Sequence, residues 1–274
     1  MDIFARKNYL NSKNGIHHCY DSDVIYDNEF NLRLQILFPY SCTYQDKFPC
    51  LLYVQGSGWD VQPLYSELCN LYKIAQRGYV IALVEYRDAF KAPFPNQIID
   101  CKTAIRFMKK HAKHYNVDEN NIFLSGSSSG AHTAIMVELT RDDRMFDCNK
   151  YPDYDDEVRG IINWYAPTNM NLLKEHSQHP IFQVLKGDMD DLYFTDKVTP
   201  LNYVKPNLKP FLIFHGTNDS LVSIESSELL YEKLKKNNNE VTFIRMIDSD
   251  HGGPEFFTEE VIDIIDRFLK NNLK

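Results

Sequence analysis

Ser128 stands at the centre of Gly126-Ser127-Ser128-Ser129-Gly130, a G-x-S-x-G that follows the apolar run Asn121-Ile122-Phe123-Leu124 and precedes a helix-compatible stretch from Ala131 to Thr140. A serine between a strand and a helix is a candidate nucleophile. The sharp turn lifts its side chain clear of the backbone, and small neighbours let the turn close. The same residues also suit a serine-rich turn that merely caps a helix, so further residues must decide.

Upstream, Cys50-Leu51-Leu52-Tyr53-Val54 runs into Gln55-Gly56-Ser57-Gly58-Trp59, a loop able to turn its backbone N–H groups outward. Acyl transfer passes through a tetrahedral oxyanion, and one preorganised donor there is worth about 2.7–4 kcal/mol. The N–H groups of Ser57, Gly58 and Ser129 are the candidate donors. A plain tight turn is the alternative, while a phosphate-cradling loop is disfavoured because no G-x-x-x-x-G-K-[ST] occurs.

Downstream, Pro210 to His215 reads as a buried strand ending near Asp219, and Val241 to Ile247 as another ending near His251. Open parallel sheets place their chemistry at the carboxyl ends of strands, so both residues face the same edge as Ser128. His251 would take the hydroxyl proton and return it to the leaving group, with Asp219 holding the imidazole in the right tautomer. Asp248 and Asp250 are nearer in sequence, but a group arriving from a separate strand is better placed to orient the ring. The order Ser, Asp, His favours Asp219. His132 and His215 read as structural. His176 and His179 form a weak metal pair, lacking H-E-x-x-H or a cysteine partner, and the chemistry requires no metal or cofactor.

These residues need a scaffold of alternating strands and helices. Val24 to Tyr26 and Asn31 to Phe38 read as an antiparallel hairpin, followed by the strand at Leu51, a helix over Leu64 to Gln76, a strand over Tyr79 to Val84 and a helix over Asn96 to His114. Ile122 to Leu124 and Val158 to Tyr165 are further strands, and Glu225 to Lys236 and Phe256 to Leu269 further helices. Such alternation implies an α/β fold with a mostly parallel sheet covered on both faces. The irregular stretch from Ala166 to about Val204 suggests a small cap over Ser128, the alternative being a solvated insertion.

At 274 residues, without a Pro/Gly/Ser-rich divider, the chain reads as one domain over 1–274. A net charge of −8 argues against nucleic acid or anionic membrane as partner. Cys19, Cys42, Cys50, Cys69, Cys101 and Cys148 form no C-x-x-C pair and read as free thiols. With neither a leader-like N-terminus nor an apolar run of about 18 residues, a cytoplasmic protein is expected.

Taken together, from about Tyr20 onward, the chain resembles the α/β-hydrolase fold serine esterases. Within them it is similar to the small carboxylesterases whose loop reads H-G-G-G-W, a group that includes acetyl-xylan and feruloyl esterase-like enzymes, lipase-like carboxylesterases and arylformamidases. Gln55 stands where that group has His, and Ser57 where it has Gly. The resemblance implies a small ester substrate, an acyl group on a carbohydrate or a small aryl ester, with Gln55, Trp59 and Trp164 as candidate contacts. A peptidase of prolyl-oligopeptidase type, an arylformamidase-like amide hydrolase and a non-catalytic binding protein remain open; oligomeric state is not legible.

Overall fold

The computed structural model describes residues 17–40, 46–176 and 192–274. The strands are β1 (His18–Asp27), β2 (Leu32–Pro39), β3 (Phe48–Val54), β4 (Val80–Val84), β5 (Val117–Ser127), β6 (Ile161–Trp164), β7 (Phe211–Gly216) and β8 (Val241–Met246). They form one sheet in the order β1-β2-β4-β3-β5-β6-β7-β8. β1 and β2 make the antiparallel hairpin, β2 is antiparallel to β4, and all pairs from β4 to β8 are parallel. The parallel strands are continuous apolar runs because helices cover both their faces; β4 is buried at every position.

The helices are α1 (Leu68–Ala75), α2 (Asn96–Lys110), α3 (Ser128–Leu139), α4 (Met170–His176), α5 (Leu192–Val198), α6 (Glu225–Lys236) and α7 (Glu259–Asn271). Alternate strand residues point to opposite faces. Leu51, Tyr53 and Phe123 therefore meet Leu71 and Ile74 of α1 and Val261 and Ile265 of α7. Leu52, Val54 and Leu124 meet Ile98 and Ile105 of α2, Ala134 of α3 and Leu230 of α6.

Two helix starts differ from expectation. α1 begins at Leu68 instead of Leu64, after a run of turns. α7 begins at Glu259 instead of Phe256, because Pro254–Phe257 form a 3₁₀ turn and the Thr258 side chain caps the helix by accepting from Val261 N–H. β5 is longer than its apolar centre, reaching Ser127 and so delivering the chain to the turn at Ser128.

The expected cap at about 166–204 falls partly on residues 177–191, outside the described residues, as do His179 of the weak metal pair and Cys42. Of the described part, Met170 and Leu173 of α4 and Val198 of α5 pack with Trp59 and Val222. Cys19, Cys50, Cys69, Cys101 and Cys148 are free thiols. No described helix is long and apolar enough to cross a membrane.

Candidate active site

The turn between β5 and α3 puts Ser128 at φ 51°, the left-handed region that residues with a Cβ rarely adopt. Glycines make so tight a turn possible. A Cβ on Gly126 would lie 2.6 Å from the carbonyl carbon and oxygen of Gly130, and one on Gly130 would lie 2.1 Å from the Val54 carbonyl oxygen. The helix can approach β3 this closely only without those side chains. Trp59, Tyr165 and Asp248, all in loops on the same rim, also have positive φ, of 61°, 45° and 60°.

Asp219 follows β7 and His251 follows β8, and the parallel pairing of those strands brings both to Ser128. His251 Nε2 lies 2.9 Å from Ser128 Oγ, and His251 Nδ1 lies 2.8 Å from Asp219 Oδ2. A carboxylate can only accept, so Nδ1 carries the proton and the Nε2 lone pair faces the serine hydroxyl. The rival carboxylates do not reach the ring. Asp250 Oδ1 accepts from Ser220 N–H, Ser220 Oγ–H and the His251 backbone N–H, and no hydrogen bond joins Asp248 or Asp250 to the His251 ring.

Asp219 is fully enclosed. Its Oδ1 accepts from the N–H groups of Leu221 at 2.9 Å and Val222 at 2.7 Å. Burial is the largest influence on its carboxyl and raises it, but hydrogen bonds from His215 and His251, the charge of His251 and the Val222 N–H outweigh burial. The carboxyl is held well below the usual carboxylate range. Tyr165 closes the other side of the His251 ring, with centroids 4.6 Å apart.

The loop donors divide. Ser57 N–H, expected to face an oxyanion, donates instead to Ser129 Oγ at 3.0 Å. Gly58 N–H has no acceptor among the described residues. Ser129 stands at the start of α3, where N–H groups lack intrahelical partners. The two serines flanking the candidate nucleophile tie this loop to the turn. Ser127 Oγ accepts from Tyr53 Oη–H at 2.8 Å and from Gly56 N–H at 3.0 Å, while Ser129 Oγ takes Ser57 N–H. Tyr86, pushed up to about 12 by burial, lies 3.0 Å from Ser57 Oγ and braces the loop from below.

The candidate substrate contacts fare differently. Trp164 is a correction: it is buried on the α1/α7 face, stacked against Phe214 and Phe257, so its ring is out of reach of a ligand. Gln55 is buried and donates to Ser66 Oγ at 2.5 Å, bracing its loop instead of facing a substrate. Trp59 is also buried and meets His132 edge-on at 5.1 Å, but it forms one wall of the cavity beside Ser128. That cavity, lined also by Ser129, Pro167, Leu173, Leu221 and Val222, has about 10 Å³ of free volume, roughly the room of one water. A wider polar cleft of about 420 Å³ around Lys109, Glu119, Arg159 and Lys274 lies at the opposite, amino-terminal edge of the sheet.

His132 and His215 are buried. His132 Nε2–H donates to Val198 O, and burial holds its ring down to about 4. Asp147, Cys148 and Asp156 are close enough to share an ion, but Arg106 already bonds both carboxylates. Ser127 and Tyr53 were missed at the sequence level. The only signal for them was three consecutive serines where one would serve.

The BD-FAE family model matches residues 34–234. The probable carboxylic ester hydrolase LipM of Mycobacterium tuberculosis is 25% identical over 202 residues, 69% of this chain and 45% of that protein. The chain spans about half the length of the curated relatives it matches. Among solved structures, a bifunctional GH43-CE of Bacteroides eggerthii superposes with a TM-score of 0.83 at 23% identity, covering 93% of this chain and 38% of that one. A truncated carbohydrate esterase from gut microbiota gives 0.81 at 22% identity, covering 95% and 98%. At these identities the likeness concerns architecture: the sheet and its helices have the α/β-hydrolase fold.

Proposed function

Since the chain belongs to the BD-FAE family, we propose that it is a serine carboxylesterase that removes small acyl groups, acetyl above all, from an alcohol such as a carbohydrate hydroxyl. The observation that carries the reading is the continuous chain from Ser128 Oγ through the His251 ring to Asp219, with links of 2.9 and 2.8 Å.

Ser128 Oγ attacks the ester carbonyl carbon while its proton passes to His251 Nε2. The carbonyl oxygen becomes an oxyanion held by Gly58 N–H and Ser129 N–H, and Asp219 stabilises the imidazolium. His251 returns the proton to the departing alkoxide, leaving an acyl group on Ser128. Water, deprotonated in turn by His251, then releases the acid. The names of the relatives support ester chemistry, and those of two structural neighbours support a carbohydrate alcohol. The small, mainly apolar cavity beside Ser128 supports a short acyl group over a bulky feruloyl one.

The test is a panel of acetyl, butyryl and feruloyl esters with a matched formamide and peptide, run on the native chain and on Ser128→Ala. Acetyl turnover should rank first and fall by roughly 10⁶-fold in the variant, as loss of such a nucleophile has cost elsewhere. A fluorophosphonate should modify Ser128 in the native chain alone. Retained turnover in the variant would remove the assignment, and a leading amide or feruloyl substrate would change the substrate class.

A further inference from the structure

Asp219 is served by a second imidazole. His215, in β7, is completely buried; its Nε2 lies 3.1 Å from Asp219 Oδ2 and 2.8 Å from Val222 O, and its Nδ1 lies 2.7 Å from Ser227 Oγ on α6. The carboxylate and the carbonyl near Nε2 can only accept, so Nε2 bears the proton; it donates to Val222 O, with Asp219 Oδ2 close beside that bond, while the Ser227 hydroxyl donates to Nδ1 and fixes that tautomer. Asp219 Oδ2 therefore sits between two ring N–H donors, one from His251 and one from His215. His251 faces the serine; His215 faces the protein interior.

We propose that His215 is a positioning residue of the triad, acting through Asp219. Its N–H pins Oδ2 toward His251 Nδ1 and draws off part of the carboxylate's negative charge. With that donor gone, the same charge would fall more fully on His251, raising its hold on a proton, and Oδ2 would be free to turn away. The other titratable groups around this cluster are Asp250, whose carboxylate receives Ser220 and the His251 backbone N–H, Tyr165, whose ring contacts both imidazoles, and Glu255 beyond Gly253. No hydrogen bond among the described residues runs from any of them to Asp219 Oδ2. The inference rests on the esterase reading of Ser128, His251 and Asp219.

The experiment is the pH profile of kcat/KM on an acetyl ester for the native chain, His215→Leu and His215→Gln. His215→Leu should lower kcat about tenfold with KM little changed and move the acid limb upward by about half a pH unit. His215→Gln, which keeps an N–H donor, should restore the limb. In an Asp219→Asn background, His215→Leu should lower kcat no further. An acid limb unmoved in His215→Leu, or an equal loss of kcat in both variants, overturns the proposal, because simple loss of packing would do that. If His215→Leu does not fold, the native chain provides the reading: its His215 Nε2–H proton resonance should shift on Asp219→Asn, and an unmoved resonance overturns the proposal. Failure of the native chain to label at Ser128 or to turn over ester would instead refute the esterase reading itself.

Discussion

Asp219 and the 55–59 loop both stand ready to meet negative charge, and they are furnished in opposite ways. The carboxylate is surrounded by donors: Leu221 and Val222 N–H on one oxygen, His251 and His215 on the other. In the loop, Gly58 N–H is left open, Ser57 N–H is engaged by Ser129, and Gln55 Oε1 and Trp59 Nε1 are buried without partners among the described residues. A standing charge has to be satisfied at all times or it costs several kcal/mol. A charge that exists only in a transition state needs donors that are fixed in place yet unoccupied before it forms. The contrast teaches which atoms this chain holds in reserve.

The sharpest way to break the contrast is to neutralise the saturated side. Asp219→Asn should lower kcat by roughly 10⁴, the loss measured for such a change in another triad, and should lower the unfolding midpoint at neutral pH, where the ionised carboxylate contributes stability. Kinetics within tenfold of the native chain would transfer the orienting role to Asp250 or Asp248.

Acid should separate the two regions more gently. Asp219 has its carboxyl depressed in the folded state, so the stability it contributes is present above the unfolded value near 3.9 and lost as pH falls through its lower folded value. His132, under Trp59, binds a proton in the folded chain only near 4, whereas the unfolded chain takes it up near 6.5. Between those values the unfolded state binds more protons, so stability rises with pH and falls on acidification. The loop side should therefore weaken first, by about 3 kcal/mol over that window. Denaturant titrations of His132→Phe at pH 6.5 and 4 should show that slope flattened; an unchanged slope would clear His132 of the effect.

The smallest expected effect is at Ser127. Ser127→Ala removes the acceptor of Gly56 N–H and Tyr53 Oη–H and should lower kcat about tenfold, roughly 1.4 kcal/mol, as a loosened loop misplaces Gly58 N–H. A kcat equal to the native value would show that the loop keeps its shape without this tie.

What was legible in the sequence follows from what sequence encodes. Ser128, Asp219 and His251 each end a strand, or nearly so, in an apolar run of clear length, and parallel pairing brings such ends together whatever the intervening loops do. Ser57 N–H was misjudged because backbone spacing says which groups exist but not which hydroxyl reaches them first. Trp164 was misjudged for a related reason. A residue at the end of a strand buried on both faces can point either way, and its side is set by the pairing of Trp164 with Ser127 and Phe214, which composition does not reveal. His215 was seen as structural, and only distances expose its contact with the carboxylate.

Four of the ten non-glycine residues of left-handed backbone among the described residues, Trp59, Ser128, Tyr165 and Asp248, share one rim and one source of support. Each such torsion costs on the order of 1 kcal/mol or more, and the surrounding packing alone keeps it. A chain whose sheet is only slightly loosened would let these angles drift back to common values, so catalysis should fade with warming before the fold itself melts.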